Sequence, residues 1–131
     1  MTLKNNDYKI LIVDSSSMIV DRLNNLLIEM TCTNCVSTAY TYAEALEKLS
    51  ADEYDVVLLD TQLPGKNGFE LLSFIKENYP RTKTIMITNQ TSNLYRNKAA
   101  KIGTDHFIDK SGEFEKVIEI IKEYSVGYQM N

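Results

Sequence analysis

No stretch of this 131-residue sequence approaches the ~20 apolar residues that a membrane-spanning helix needs. The opening MTLKNNDYK is polar and lacks the apolar core of a secretory signal, so a cytoplasmic protein with no membrane insertion is expected. Lys and Arg form no block, and the formal charge is −4, which speaks against direct nucleic acid binding or an anionic membrane surface. Histidine occurs once, as His106, and cysteine twice, as Cys32 and Cys35. The cysteines read CTNC but lie between a helical pattern and a strand. A redox pair is expected instead at a helix N-terminus, where the dipole lowers the thiol pKa. With His106 far away in sequence, a zinc site would also lack its fourth ligand. Two ordinary thiols are the expectation. Repeats, low-complexity tracts and linkers are absent as well.

What is present fits one globular domain over residues 1–131, with a core over about 8–125 and short polar tails, since 44% of residues are hydrophobic and 24% charged. ILIV at 10–13, VVLL at 56–59 and IMI at 85–87 are continuous apolar runs, as in strands covered on both faces. The mixed runs VSTAY at 36–40 and DHFID at 105–109 suit sheet edges.

Between them apolar residues recur at helical spacing: Ile19, Leu23, Leu26, Leu27 and Met30 in the first helix, and Phe114, Val117, Ile118 and Ile121 in the last. Thr41 and Glu44 form a capping box for the second helix. A third helix follows Gly68 and must finish before Pro80. The fourth, from about Ser92 to Ile102 with Gly103 behind it, offers Leu94, Ala99 and Ile102 to a core and should be the least firmly anchored. The order βαβαβαβαβα with right-handed crossovers predicts an α/β, doubly wound (βα)5 fold, a five-stranded parallel sheet of strand order 2-1-3-4-5.

Ligands bind such a sheet beyond the carboxyl ends of its strands, at the switch point between strands one and three. Strand one ends in Asp14, strand three in Asp60 and strand four in Thr88, and strand five is followed at once by Lys110. Each has a plainer reading. Asp14 or Ser15, Ser16 and Ser17 can cap the first helix, Thr88 can be a β-branched strand residue, and Lys110 a solvated charge. Asp60 leads into a loop, TQLPGKNG, where no helix start needs a cap. Together the four permit phosphoryl transfer to a carboxylate: an Asp as acceptor, a hard cation on oxygen ligands, and a Lys and a hydroxyl on the phosphoryl oxygens.

With DTQLPGKNG from Asp60 to Gly68, IMITN carrying Thr88, and GTDHFIDKS carrying Phe107 and Lys110, the chain resembles the receiver domains of two-component response regulators over residues 8–125. The resemblance covers both fold, which is flavodoxin-like, and function. It implies that Asp60 is the phosphoacceptor, that Mg²⁺ is held by Asp14, Asp60 and the backbone carbonyl of Gln62, and that Thr88, Phe107 and Lys110 are the switch and phosphoryl-contact residues. It also implies a sensor histidine kinase or histidine phosphotransfer protein as donor and a downstream protein target. The protein itself is then no enzyme beyond self-dephosphorylation.

Ser15 stands where the family has a second acidic residue. Metal should therefore bind weakly, with Ser15 contributing through a water. Asn89 follows Thr88 where a small residue is usual and is expected to narrow access to Asp60; Ser111 replaces a common proline. The usual signalling face, the fourth helix with the fifth strand and helix, would include Tyr95, Arg96, His106 and Phe107, although Tyr95 and His106 also suit half-buried packing. A stand-alone phosphorylatable receiver is the leading expectation. A pseudo-receiver signalling without phosphorylation is the alternative favoured by Ser15. A haloacid-dehalogenase-like phosphohydrolase would need an acid where Gln62 stands, and a flavin-phosphate loop would need glycine where DSSSM has none.

Overall fold

The computed structural model describes residues 8–31 and 33–130, with side chains omitted at 33, 114 and 126–130. Five strands alternate with helices: β1 (Ile10–Val13), α1 (Ser17–Met30), β2 (Val36–Ala39), α2 (Tyr42–Ala51), β3 (Val56–Leu59), α3 (Gly68–Asn78), β4 (Lys83–Thr88), α4 (Asn93–Ile102), β5 (His106–Asp109) and α5 (Phe114–Met130). All pairings are parallel, and the sheet order is β2-β1-β3-β4-β5, as expected.

The alternation of side chains along each strand divides the core into two layers. Ile10, Ile12, Val56, Leu58, Ile85, Ile87 and Ile108 face α1 and α5, where Val20, Leu23, Leu27, Val117 and Ile121 meet them. Leu11, Val13, Val57, Leu59 and Met86 face the other way, onto Ala45 and Leu49 of α2, Phe69, Leu71, Leu72 and Ile75 of α3, and Ala99 of α4. Burial on both faces is why the three central strands read as unbroken apolar runs.

The first four helices begin where a side chain takes up an orphan N–H. Ser16 accepts from Ile19 N, Thr41 from Glu44 N, Asn67 from Glu70 N and Ser92 from Tyr95 N. In α2 half of the expected capping box is made, the Glu44 N–H donating to the Thr41 hydroxyl, while the Glu44 carboxylate reaches back past the cap to the N–H of Tyr40. Gly103 ends α4 at φ +113° in the left-handed region.

Several expectations are corrected. Leu26 is 39% exposed and lies off the buried stripe of α1, which runs instead through Val20, Leu23 and Leu27. Leu94 is 74% exposed and contributes nothing to the core; the neighbouring Tyr95 turns inward in its place and packs edge-to-face on Phe69, ring centroids 5.5 Å apart. Beyond residue 125, where a short polar tail was expected, α5 continues to Met130. Cys35 is buried and disulfide-bonded, not an ordinary thiol; Cys32 and the N-terminal tail through Asp7 lie outside the described residues, as does the Phe114 side chain.

Candidate functional site

Ladder hydrogen bonding runs one residue past the strands and sets the rim. The N–H of Asp14 donates to Ala39 O at 3.1 Å, that of Asp60 to Val13 O at 3.1 Å, and that of Lys110 to Thr88 O at 3.0 Å. Asp14 and Asp60 are thereby held side by side at the switch point, with Thr88 and Lys110 beyond them. Lys110 Nζ lies 2.7 Å from Asp14 Oδ2 and 2.9 Å from Asp60 Oδ2, and all three side chains are largely shielded from solvent. Four groups spread over almost the whole sequence thus meet at one place, as the strand ends imply.

Electrostatics here is a contest between burial and pairing. Desolvation pushes the Asp14 carboxyl above the usual carboxylate range, against the lowering effect of Lys110 and of the Ser16 N–H, which donates to Asp14 Oδ1 at 2.8 Å. For Lys110 burial works to lower the ammonium, but the two carboxylates outweigh it and its pKa is raised. Lys110 is therefore firmly charged, and it is the cation on which both acids depend.

Thr61 and Gly68 carry more of the geometry than their sequence context suggests. The Thr61 N–H donates to Asp60 Oδ1 at 2.7 Å, and its hydroxyl lies 2.8 Å from Thr88 Oγ1 and 3.5 Å from Asp60 Oδ1. Thr88 Oγ1 in turn accepts the N–H of Gln90 at 3.0 Å. Gly68 opens α3 against the backbone of the acceptor strand: its N–H donates to Thr61 O at 2.8 Å, and a Cβ there would stand 1.8 Å from Asp60 O. Only glycine permits that approach. A hydroxyl placed directly after the acid was the available signal for Thr61, and the last position of the DTQLPGKNG loop was the signal for Gly68.

Ser15, Gln62 and Asn89 are exposed; Ser16, not Ser15, caps α1. Phe107 is half-buried beneath the Arg96 guanidinium, which lies 4.8 Å from its ring centroid. His106 is half-buried and hydrogen-bonds the Tyr124 hydroxyl at 3.0 Å. Both Tyr95 and His106 thus have packing partners.

Asp14 and Asp60 bring carboxylate oxygens side by side, and Gln62, two residues past Asp60, is an exposed residue, so hard-oxygen donors are available at this end of the sheet. They suit Mg²⁺, which commonly takes one or two carboxylates and completes its octahedron with water. No group of three His, Cys, Asp or Glu side chains that could hold a metal occurs among the described residues, so backbone and water would have to complete the coordination. No helix among them is long and apolar enough to cross a membrane.

Comparison with known proteins bears on family and fold. The sequence model of the response regulator receiver domain matches residues 10–122. A CheY-like receiver domain from Methanospirillum hungatei superposes with a TM-score of 0.81 at 31% identity, covering 93% of this chain and 95% of that one. The beryllofluoride-activated DrrB receiver domain gives 0.81 at 26% identity, covering 89% and 96%. A protein-glutamate methylesterase/protein-glutamine glutaminase of Geobacillus kaustophilus is 31% identical over 122 residues, 91% of this chain and 35% of its own length. The chain spans only 7% to 40% of the first curated relatives it matches. From its strand order, its strand-end constellation and these matches together, the chain belongs to the response regulator receiver domain family.

Proposed function

We propose that Asp60 accepts a phosphoryl group from a histidine kinase or histidine phosphotransfer protein, and that the receiver signals through contacts of its own surface with a downstream protein. The observation that carries this is Lys110 Nζ within 2.9 Å of both Asp14 and Asp60 on a shielded rim. In the transfer, an Asp60 carboxylate oxygen attacks phosphorus. A P–O bond forms, the P–N bond to the donor imidazole breaks, and the bonding pair stays on nitrogen. Lys110 neutralises a phosphoryl oxygen, and Thr88 is the hydroxyl that closes on the new group.

Mg²⁺ when bound supplies further charge neutralisation, and Asp14, Asp60 and the Gln62 carbonyl are the groups that would hold it. Asn89, exposed and directly after Thr88, would narrow access to Asp60 and slow water and small donors more than a docked protein. Phe107 responds to Thr88, and Tyr95, Arg96 and His106 form the face on which the response is read.

Beryllofluoride with Mg²⁺ tests this reading. A ¹⁹F resonance of bound adduct is expected with the wild type and none with Asp60→Asn. Acid-labile phosphate from a cognate donor should likewise require Asp60. Absence of any adduct on the wild type at saturating Mg²⁺ would favour a pseudo-receiver that binds partners without phosphorylation.

A further inference from the structure

Thr61 is 2% exposed and lies between the Asp60 carboxylate and Thr88. A hydroxyl has one proton and two lone pairs, while a carboxylate only accepts. Thr88 Oγ1 already accepts from Gln90 N. Either hydroxyl can donate in the 2.8 Å pair; with Thr88 O–H donating to Thr61 Oγ1, the Thr61 proton is left to face Asp60 Oδ1, 3.5 Å away. The one proton with which Thr88 would bind a phosphoryl oxygen is then engaged by Thr61.

We propose that Thr61 is a positioning residue, a catch that holds the Thr88 hydroxyl in the resting protein and yields it to the phosphoryl group on Asp60. The proposal rests on the phosphoacceptor reading above. The exchange favours release after phosphorylation, because a hydrogen bond to an ionised oxygen is roughly twice as strong as one between neutral groups. Before phosphorylation no such competitor exists, and the hydroxyl pair holds. Since the catch is made only in the resting state, losing it should shift the equilibrium toward activation. The size of one neutral hydrogen bond corresponds to about two- to tenfold in that equilibrium.

Thr61→Val keeps the branched shape and buried methyl but removes the hydroxyl, and Thr61→Ser keeps the hydroxyl. Titration with beryllofluoride at saturating Mg²⁺, followed by ¹⁹F NMR, should give about two- to tenfold tighter binding for Thr61→Val and wild-type binding for Thr61→Ser. In a Thr88→Ala background the effect of Thr61→Val should vanish, which a purely structural role for Thr61 would not produce. In the resting protein, scalar couplings to the Thr88 methyl should show one χ1 rotamer in the wild type and averaging in Thr61→Val. Unchanged or weaker binding by Thr61→Val, or an effect that persists without the Thr88 hydroxyl, overturns the catch alone. No adduct on the wild type overturns the phosphoacceptor reading and the catch with it.

Discussion

Ser15 decides how much negative charge the rim presents. Two unit charges about 4 Å apart interact by roughly 4 kcal/mol at an effective dielectric near 20, less where water screens them. An added carboxylate also repels Asp14 and Asp60, so the net gain for a cation is smaller than that figure. Ser15→Asp should tighten Mg²⁺ binding several-fold and speed phosphorylation with the fold unchanged, because the position is exposed. Ser16→Asp should leave Mg²⁺ affinity as it is, since Ser16 caps α1 and Asp caps equally well. NMR titration of both variants measures this, and equal affinity of Ser15→Asp and wild type would mean the metal lies elsewhere. At Gly68 the constraint is steric. Gly68→Ala drives a methyl into the Asp60 carbonyl, and a loss of about 1–3 kcal/mol, or more, is expected in denaturant unfolding. The rim acids, Thr88 and Lys110 were legible because a strand end is visible in sequence. The hydroxyl bond of Thr61 and the close approach at Gly68 were not, because both depend on how far a second segment advances over the first.

Among the elements, α4 stands apart. Ala99 is its one fully buried residue, whereas α3 buries Gly68, Phe69, Leu71, Leu72 and Ile75. Leaving Leu94 in solvent forgoes the roughly 1.5–3 kcal/mol that burying a leucine contributes, so α4 is anchored even more weakly than its sequence suggests. Periodicity showed an amphipathic helix but not the rotation that brings Tyr95 inward and leaves Leu94 out. One residue is a step of about 100° around a helix, and in α1 it is such a step that leaves Leu26 beside the buried stripe through Val20, Leu23 and Leu27. A weakly held helix next to Thr88 is suited to rearrangement. Amide exchange over residues 89–104 should change more than that of α1 when beryllofluoride binds; an unchanged pattern would exclude α4 as the moving element. Asp105 holds the opposite end of the same region. Its Oδ2 accepts from Thr84 N at 2.8 Å and from Lys76 Nζ at 3.1 Å, tying β5 to β4 and α3. Burial works to raise its pKa, but the Thr84 N–H and Lys76 prevail and lower it. A depressed carboxylate stabilises above the unfolded value near 3.8 and loses that contribution as pH falls through its folded value. Asp105→Ala should cost about 1–3 kcal/mol at neutral pH, the difference from wild type shrinking in denaturant series taken below pH 3.8.

Across the whole molecule, the two-layer core holds the switch point rigid while the rim carries groups that an apolar surface would not choose. Asp14, Asp60 and Lys110 arrive on three separate strand ends, and the fold tolerates two shielded carboxylates because one ammonium serves both. Removing that ammonium without changing much volume, as in Lys110→Met, leaves the acids uncompensated. Breaking a buried pair by removing one partner typically costs about 3–5 kcal/mol. The pH dependence identifies the cause. Asp14 is already pushed up by burial, opposed by Lys110; without Lys110 it rises further. An acid whose folded pKa lies above its unfolded value favours the native state most when protonated, and stability falls as pH climbs from about 3.8 through the folded value. The gap between wild type and Lys110→Met should therefore be small near pH 4, widen with rising pH and be greatest at neutrality. Mg²⁺, if held by the same carboxylates as proposed, would supply positive charge there, so it should stabilise Lys110→Met against denaturant at pH 7 more than the wild type. Denaturant unfolding across pH 4–7, with Mg²⁺ and with chelator, measures both effects. A gap of constant size at every pH would show that Lys110 acts through its packing rather than as the shared counter-charge of Asp14 and Asp60.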